Sequence, residues 1–271
     1  MAQIIDGKKI ADELADECKR QIEQLKSRGK TPRLAIITYN PDGASKVYAN
    51  LKLKKAQQLG MNCSIIDWSQ KSPTECIKAM KELGNDDSVD GIIVQLPANG
   101  LGNVQELLNT IPANKDVDGL SDGEHVLTPA TPKAVLTLLE KADVDLKGKK
   151  IAIVGQGKLV GKPLTNIMLK LGYDVSSADN MTGDLTAITK PADIVISAVG
   201  KPGLINGATI KPGAVVIDAG TSEQHGSLVG DVDYNSVDEV ASKIAKVPGG
   251  VGPVTVISLL QNVVEAARTK L

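Results

Sequence analysis

Residues 151–163, IAIVGQGKLVGKP, constrain the fold of this chain more than any other stretch. An apolar run from Ile151 to Val154 ends in Gly155, and Gly157, Gly161 and Pro163 follow. The run reads as a buried parallel strand, Gly155 and Gly157 as a tight turn with close backbone approach, and Gly161 to Leu171 as the next helix. The amides of a turn that opens onto a helix N-terminus hold a dianion without a basic side chain, so this is a place to lay a pyrophosphate. Three residues precede the last glycine where the usual dinucleotide pattern has two, and glycine turns of this kind also occur in α/β proteins without a nucleotide.

The remaining chain repeats the same alternation. Ile10, Leu14, Cys18, Ile22 and Leu25 are spaced for an amphipathic helix over 7–28 that stops at Gly29. Strands are predicted at 33–38, 63–67 and 91–96, with helices beginning near Ser45 and covering 74–83, which makes a mostly parallel sheet. A short helix at 104–109, the polar loop KDVDGLSDGEH at 115–125 and a helix from Thr131 through Glu140 come next. Beyond Lys147-Gly148-Lys149-Lys150, strands at 151–154, 174–177, 193–198 and 214–218 form α/β units of the dinucleotide-binding type. With 271 residues, two domains are the default. VPGGVGPVT at 247–255 reads as a glycine-proline loop before a closing amphipathic helix. One domain is predicted over 1–137 plus 252–271, with the closing helix returning to it, and a Rossmann-like domain over 138–251. The fold class is therefore α/β.

Composition narrows the function. Lys and Arg number 31 against 32 Asp and Glu, and aromatic residues are 2% with no Phe. No long basic run is present and stacking platforms are scarce, which disfavours nucleic acid as a partner, and the core must be built from Ile, Val, Leu and Ala. Cys18, Cys63 and Cys76 lack metal-ligand spacing and are odd in number, which points to idle thiols in a reducing compartment. No segment reads as a signal peptide or a membrane span, and the expectation is a cytoplasmic protein.

Several polar residues are candidates for chemistry. Tyr48 and Lys52 are four apart on the second helix and project from one face, where a desolvated lysine would serve as a general base or proton donor. The alternative is a solvated surface lysine, since Lys46, Lys54 and Lys55 share the helix. Gln95 ends an apolar strand, at the sheet edge where ligands bind, or is simply bonded to loop backbone. Asp116 and Asp118 flank Val117; the pair could bind a metal, cap a helix or accept hydrogen bonds from an amino-heterocycle, and no metal is expected because no His or further acid accompanies it. His125 and His225 read as ordinary loop histidines. Asp179, 24 residues beyond Gly155, stands near where an acid grips a ribose 2′-hydroxyl and repels a 2′-phosphate, or is a solvated loop acid.

Taken together, ASKVYANLKLKKAQQLG at 44–60, DGIIVQLP at 90–97, NKDVDG at 114–119, TPATP at 128–132, VGQGKLVGKP at 154–163, AVGKPG at 198–203 and PGGVGPVT at 248–255 resemble the bifunctional methylenetetrahydrofolate dehydrogenase/cyclohydrolases. The resemblance implies oxidation of 5,10-methylenetetrahydrofolate to the 5,10-methenyl form with a nicotinamide cofactor, then hydrolysis to 10-formyltetrahydrofolate. It further implies a catalytic Lys52 assisted by Tyr48 and Gln95, and substrate binding by Asp118, Gly252 and Pro253. The dinucleotide would meet Gly155, Gln156, Gly157, Lys158, Gly161, Asp179 and Asn180, and the chain would be a homodimer. The family habit is NADP; Asp179 and the absence of a basic residue at Gln156 make NAD the close alternative. The sequence departs from the family at Ala130, where a cysteine is usual, and at Ala98-Asn99, where Leu-Pro is common. A dehydrogenase without the hydrolytic activity and a non-catalytic dinucleotide sensor are the competing functions.

Overall fold

The computed structural model describes the chain from Met1 to Leu271 except Glu124 and His225, so the expectation for His225 lies outside the described residues. In chain order the elements begin with β1 (Gln3–Ile4), α1 (Gly7–Ser27), β2 (Arg33–Thr38), α2 (Gly43–Leu59), β3 (Asn62–Asp67), α3 (Pro73–Asn85) and β4 (Gly91–Val94). They continue with α4 (Val104–Leu108), α5 (Ala130–Lys141), β5 (Lys150–Val154), α6 (Gly161–Lys170), β6 (Asp174–Ala178), α7 (Leu185–Thr189) and β7 (Ile194–Ser197). The last are β8 (Val215–Asp218), β9 (Ser222–Gln224), β10 (Ser227–Val229), α8 (Tyr234–Asp238), β11 (Lys243–Ala245) and α9 (Val251–Arg268).

Two compact units result: Glu13–Ala130 with Val256–Leu271, and Met1–Asp12 with Thr131–Thr255. In the first, three parallel strands run in the order β3-β2-β4. β2, RLAIIT, is buried beyond its first residue because it is the middle strand, and a parallel strand covered on both faces needs a continuous apolar run. α2 starts where the Asp42 carboxylate accepts from the Ser45 amide at 2.7 Å and stops at Gly60, whose φ of 90° a side chain would strain. α3 carries the reciprocal Ser72–Glu75 cap. Its core gathers Ile37, Met80, Ile92, Leu107 and the single tryptophan, Trp68.

The second unit is a six-stranded parallel sheet in the order β1-β11-β8-β7-β5-β6, with β9 and β10 forming a separate antiparallel hairpin. Its interior is packed from small and branched side chains, Val195, Val216, Ile205 and Ile244 among them. β6 and β7 flank β5 on opposite sides, so the strand order reverses at β5 and opens a crevice at the carboxyl ends of β5 and β7. Among the described residues no helix is long and apolar enough to cross a membrane.

The domain limits differ from those predicted. Residues 1–12 belong with the six-stranded sheet, because Gln3 and Ile4 pair with Lys243 and Ile244 of β11 and Ile5 is buried. The division near the middle falls at Thr131, earlier than residue 138, and near the end between Thr255 and Val256. Gly252 and Pro253 lie in the first turn of α9, not in a loop before it; the missing proline N–H is tolerated there because the first helical amides have no partner within the helix.

In the first unit the buried Asp90 carboxylate stands 2.8 Å from Lys30 Nζ and 3.1 Å from Lys270 Nζ, and accepts from the Arg33 amide at 2.9 Å. Removing one member of a buried ion pair leaves the others without their partner, at a cost of about 3–5 kcal/mol. Asp90→Ala is expected to lower the urea midpoint reported by Trp68 fluorescence by a corresponding amount; an unchanged midpoint would show that the cluster contributes nothing to this unit.

Candidate active site

The register of α2 sets the site. Ser45, Ala49 and Ala56 turn into the core, and Lys52, one turn after Tyr48, lies half-buried at the helix margin. Lys52 Nζ donates to Gln95 Oε1 at 3.1 Å and stands 4.0 Å from Asp118 Oδ2. Gln95 follows directly on β4 and is buried; its Nε2 donates to the Leu96 carbonyl at 2.9 Å, which turns Oε1 toward the ammonium. Ser45 Oγ donates to the same carbonyl at 3.3 Å, fastening the start of α2 to the end of β4. The Lys52 and Asp118 side chains are 13% and 17% exposed, so both charges are largely withdrawn from water yet remain reachable. Burial raises the Asp118 carboxyl above the usual range, Lys52 pulls it down, and Asp116 pushes it up. Tyr48, one helical turn before Lys52, is 42% exposed.

Asp116 and Asp118 divide their work. Asp116 is buried and its carboxylate is consumed by the loop: Oδ1 accepts from the Gly119 amide at 2.9 Å, and Oδ2 from the Ser121 amide at 2.9 Å and hydroxyl at 2.6 Å. Gly119 has φ +72°, and a Cβ there would lie 2.7 Å from Pro129, so only glycine fits. Asn262 of α9 holds the same loop from beneath, donating through Nδ2 to the carbonyls of Val117 at 2.9 Å and Thr128 at 2.8 Å. The sequence reading did not single out Asn262; its only signal is a polar residue within an apolar helical stripe. Asp118 is thereby presented to Lys52 by a loop that Asp116 and Asn262 fasten.

The departures from the family pattern find simple local settings. Ala130 is fully buried at the first position of α5. Ala98 is buried, and the next residue is fixed by a reciprocal amide pair: Asn40 Nδ2 donates to the Asn99 carbonyl at 3.1 Å, and Asn99 Nδ2 to the Asn40 carbonyl at 3.2 Å. His125 lies half-buried in irregular chain. Among the described residues no group of three His, Cys, Asp or Glu side chains is placed to hold a metal.

In the second unit the glycine turn is built by exclusion of side chains. Gly155 has φ +93°, and a Cβ there would come within 2.4 Å of the Ala198 carbonyl oxygen; one on Gly161 would come within 1.7 Å of the Gly155 oxygen. Nothing surrounds the Cβ position of Gly157, which leaves its exposed backbone open to approach. Gln156 turns inward, donating through Nε2 to the Gly155 carbonyl and to Thr165 Oγ1, both at 3.1 Å. Lys158 is exposed on the same turn. Asp179 follows β6 directly and is exposed with Asn180; its Oδ1 accepts from the Met181 amide at 2.9 Å and Thr182 Oγ1 at 3.3 Å. Gly252, in the first turn of α9, is exposed with open space at its Cβ position, and Pro253 beside it is half-buried.

Two family models match the chain: Tetrahydrofolate dehydrogenase/cyclohydrolase, catalytic domain, over residues 5–118, and Tetrahydrofolate dehydrogenase/cyclohydrolase, NAD(P)-binding domain, over residues 129–271. The Bifunctional protein FolD of Staphylococcus aureus (strain bovine RF122 / ET3-1) is 38% identical over 280 residues, covering 100% of this chain and 98% of the relative. Among solved structures, the bifunctional enzyme FolD, methylenetetrahydrofolate dehydrogenase/cyclohydrolase, of Campylobacter jejuni superposes with a TM-score of 0.95 at 34% identity, covering 100% of both chains. The Trypanosoma brucei N5,N10-methylenetetrahydrofolate dehydrogenase-cyclohydrolase, solved with NADP cofactor and an inhibitor, gives 0.92 at 30% identity, covering 99% of this chain and 98% of that one. A glycine-built turn in one unit, a lysine cluster in the other, and matches that span nearly the whole sequence agree: the chain belongs to the tetrahydrofolate dehydrogenase/cyclohydrolase family.

Proposed function

We propose that this protein oxidises 5,10-methylenetetrahydrofolate to 5,10-methenyltetrahydrofolate with a nicotinamide dinucleotide and then hydrolyses that product to 10-formyltetrahydrofolate. The observation that carries the reading is the half-buried Lys52 ammonium, hydrogen-bonded to Gln95 and facing Asp118. In the first step a nicotinamide dinucleotide held at the Gly155–Gly161 turn would supply a hydride acceptor for the one-carbon bridge, whose residual positive charge would be shared by its two nitrogens. The protein's task there is alignment of two planar rings. In the second step water adds to the cationic carbon and releases one proton; the remaining hydroxyl proton is then passed to N5 as the bond from carbon to N5 breaks, leaving the formyl C=O on N10. That step needs a group to relay protons, and Lys52 has the position for it. Gln95 Oε1 and the Asp118 carboxylate orient the amine, while the remaining acceptor capacity of Asp118 suits the amino and ring N–H donors of a pterin. By the family resemblance Tyr48 assists Lys52, and Gly252 and Pro253 are assigned to the substrate.

Lys52→Met is expected to reduce hydrolysis of supplied methenyltetrahydrofolate by about 10²–10⁴-fold, the usual worth of general acid–base catalysis, with a smaller loss in hydride transfer. Near-normal hydrolysis by the variant would remove Lys52 from the mechanism. A wild-type enzyme that forms the methenyl product but does not hydrolyse it would instead establish a monofunctional dehydrogenase.

The cofactor follows the family habit, NADP, on the backbone of Gly155, Gln156, Gly157, Lys158 and Gly161, with Asp179 and Asn180 at the ribose. NAD is the second reading, and Asp179 favours it: the carboxylate directly follows β6, and Gln156 offers no cation to offset a 2′-phosphate. A unit charge at ~4 Å in water opposes a like charge by about 1 kcal/mol, so Asp179→Asn should raise kcat/KM for NADP relative to NAD by at least about fivefold. An unchanged ratio would place Asp179 away from the ribose. We also read the chain as a cytoplasmic homodimer. Buried Cys18 and Cys76, and a Cys63 thiol pushed up to about 12 by burial, suit a reducing compartment. Exposed Leu169 and Leu171 near the edge strand β6 suit a subunit contact, which light scattering of the purified chain decides.

A further inference from the structure

A second pair of acids, remote in sequence from the lysine cluster, is buried at the carboxyl ends of β7 and β8. Asp218, the last residue of β8, is 2% exposed and Asp231 is fully buried. Asp218 Oδ1 accepts from the amides of Gly220 and Asp231, and Oδ2 from that of Val232, all at 3.1 Å. Asp231 Oδ2 accepts from Ser197 Oγ and the Val199 amide, and Oδ1 from the Lys201 amide, all at 2.7 Å. The two carboxylates interlock with glycines. A Cβ on Gly230 would meet Asp218 Oδ2 at 1.9 Å, and one on Gly220 would meet the Asp231 carboxylate carbon at 2.1 Å.

The chain segment that Asp231 fastens is the turn after β7, which borders the glycine turn after β5: the Ala198 carbonyl occupies the space beside Gly155. These two turns flank the point where strand order reverses, where open α/β sheets bind their ligands. β5 and β6 form one mononucleotide-binding half and β7 and β8 the other, so the turn after β7 belongs to the half that receives the second nucleotide of the cofactor. Val199 and Lys201 are exposed, yet both of their amides are directed inward to one carboxylate. Buried carboxylates without a cation are costly, and N–H donors offset the cost only in part. Burial indeed pushes Asp218 up to about 6 against three such donors. An apolar turn would close the fold without that penalty.

We propose that Asp231 is a positioning residue for the dehydrogenase reaction: it holds residues 198–201 in the shape that receives the nicotinamide half of the dinucleotide, and Asp218 holds Asp231 in place. The proposal rests on the function inferred above. Asp231→Asn retains one acceptor arm, enough for either Ser197 with Val199 or for Lys201, and turns an N–H donor against the other group. The expected result is a rise of about tenfold in KM for the dinucleotide, the worth of one hydrogen bond to a charged group, exceeding any fall in kcat. Hydrolysis of methenyltetrahydrofolate should stay within about twofold of wild type, since loss of a single hydrogen bond in this turn leaves the fold intact. A KM that does not move, or both activities falling together, would overturn the proposal. Amide hydrogen exchange on the wild-type protein without cofactor provides a test that does not depend on the variant folding: Val199 and Lys201 should be protected despite their exposure, and exchange at the rate of an open loop would overturn it equally. A wild-type enzyme that oxidises no methylenetetrahydrofolate would count against the function itself and is established before the variant is assayed.

Discussion

An amine can manage protons for a cationic substrate only if it is withdrawn from bulk water without being left unsatisfied, and the geometry around Lys52 meets both conditions. One amide oxygen at 3.1 Å and one carboxylate at 4.0 Å face the ammonium. Neither closes over it. A closer ion pair would occupy the carboxylate, whereas the 4.0 Å separation leaves Asp118 acceptor capacity to spare. The supporting structure serves this arrangement: Ser45 and Gln95 share the Leu96 carbonyl, and Asp116 and Asn262 satisfy the loop that presents Asp118.

The two units are built by different means. In the three-stranded unit, backbone amides and carbonyls are spent on fixing polar side chains, and under the proposed function those side chains would carry the chemistry. In the six-stranded unit, side chains are excluded from the glycine turn, and under the same proposal its backbone is what the ligand would meet. Gly155 and Gly161 are glycines because a carbonyl already occupies the place of their Cβ atoms, and Gly157 is bare toward solvent. Gln156 illustrates the division, since its side chain is spent on Thr165 and the Gly155 carbonyl, leaving the turn without a cation of its own at that position.

Much of this was legible in the sequence. Long apolar runs bounded by glycine identified β2, β4, β5, β7 and β8 to within a few residues, because strands buried on both faces admit few polar side chains. β1 and β11, with two and three residues, carry too little pattern to be seen, and they are what draws the N-terminus into the six-stranded sheet. The placement of Gly252 and Pro253 in a loop came from composition; a helix start accepts both residues, so the same letters fit α9. Lys52, Tyr48, Gln95 and Asp118 were candidates from helical spacing, strand end and loop pairing, each with a structural alternative, and the motif resemblance is what gave them their roles. Asp116 was legible only as one of a pair, and its separate task depends on amides that no spacing rule locates. Asp218 had a faint signal, an acid closing the apolar run AVVID, but its partner Asp231 is met only through the fold.

Coupling between the amine and the carboxylate is the central physical claim, and it is measured most directly by following the Asp118 carboxyl through a ¹³C NMR pH titration in the wild-type protein and in Lys52→Met. Burial should hold its pKa above the ordinary aspartate value of about 3.9, and loss of the ammonium should raise it further. An Asp118 that titrates at the ordinary value, or whose pKa does not respond to the loss of Lys52, would contradict the claim that the two groups share one water-poor site.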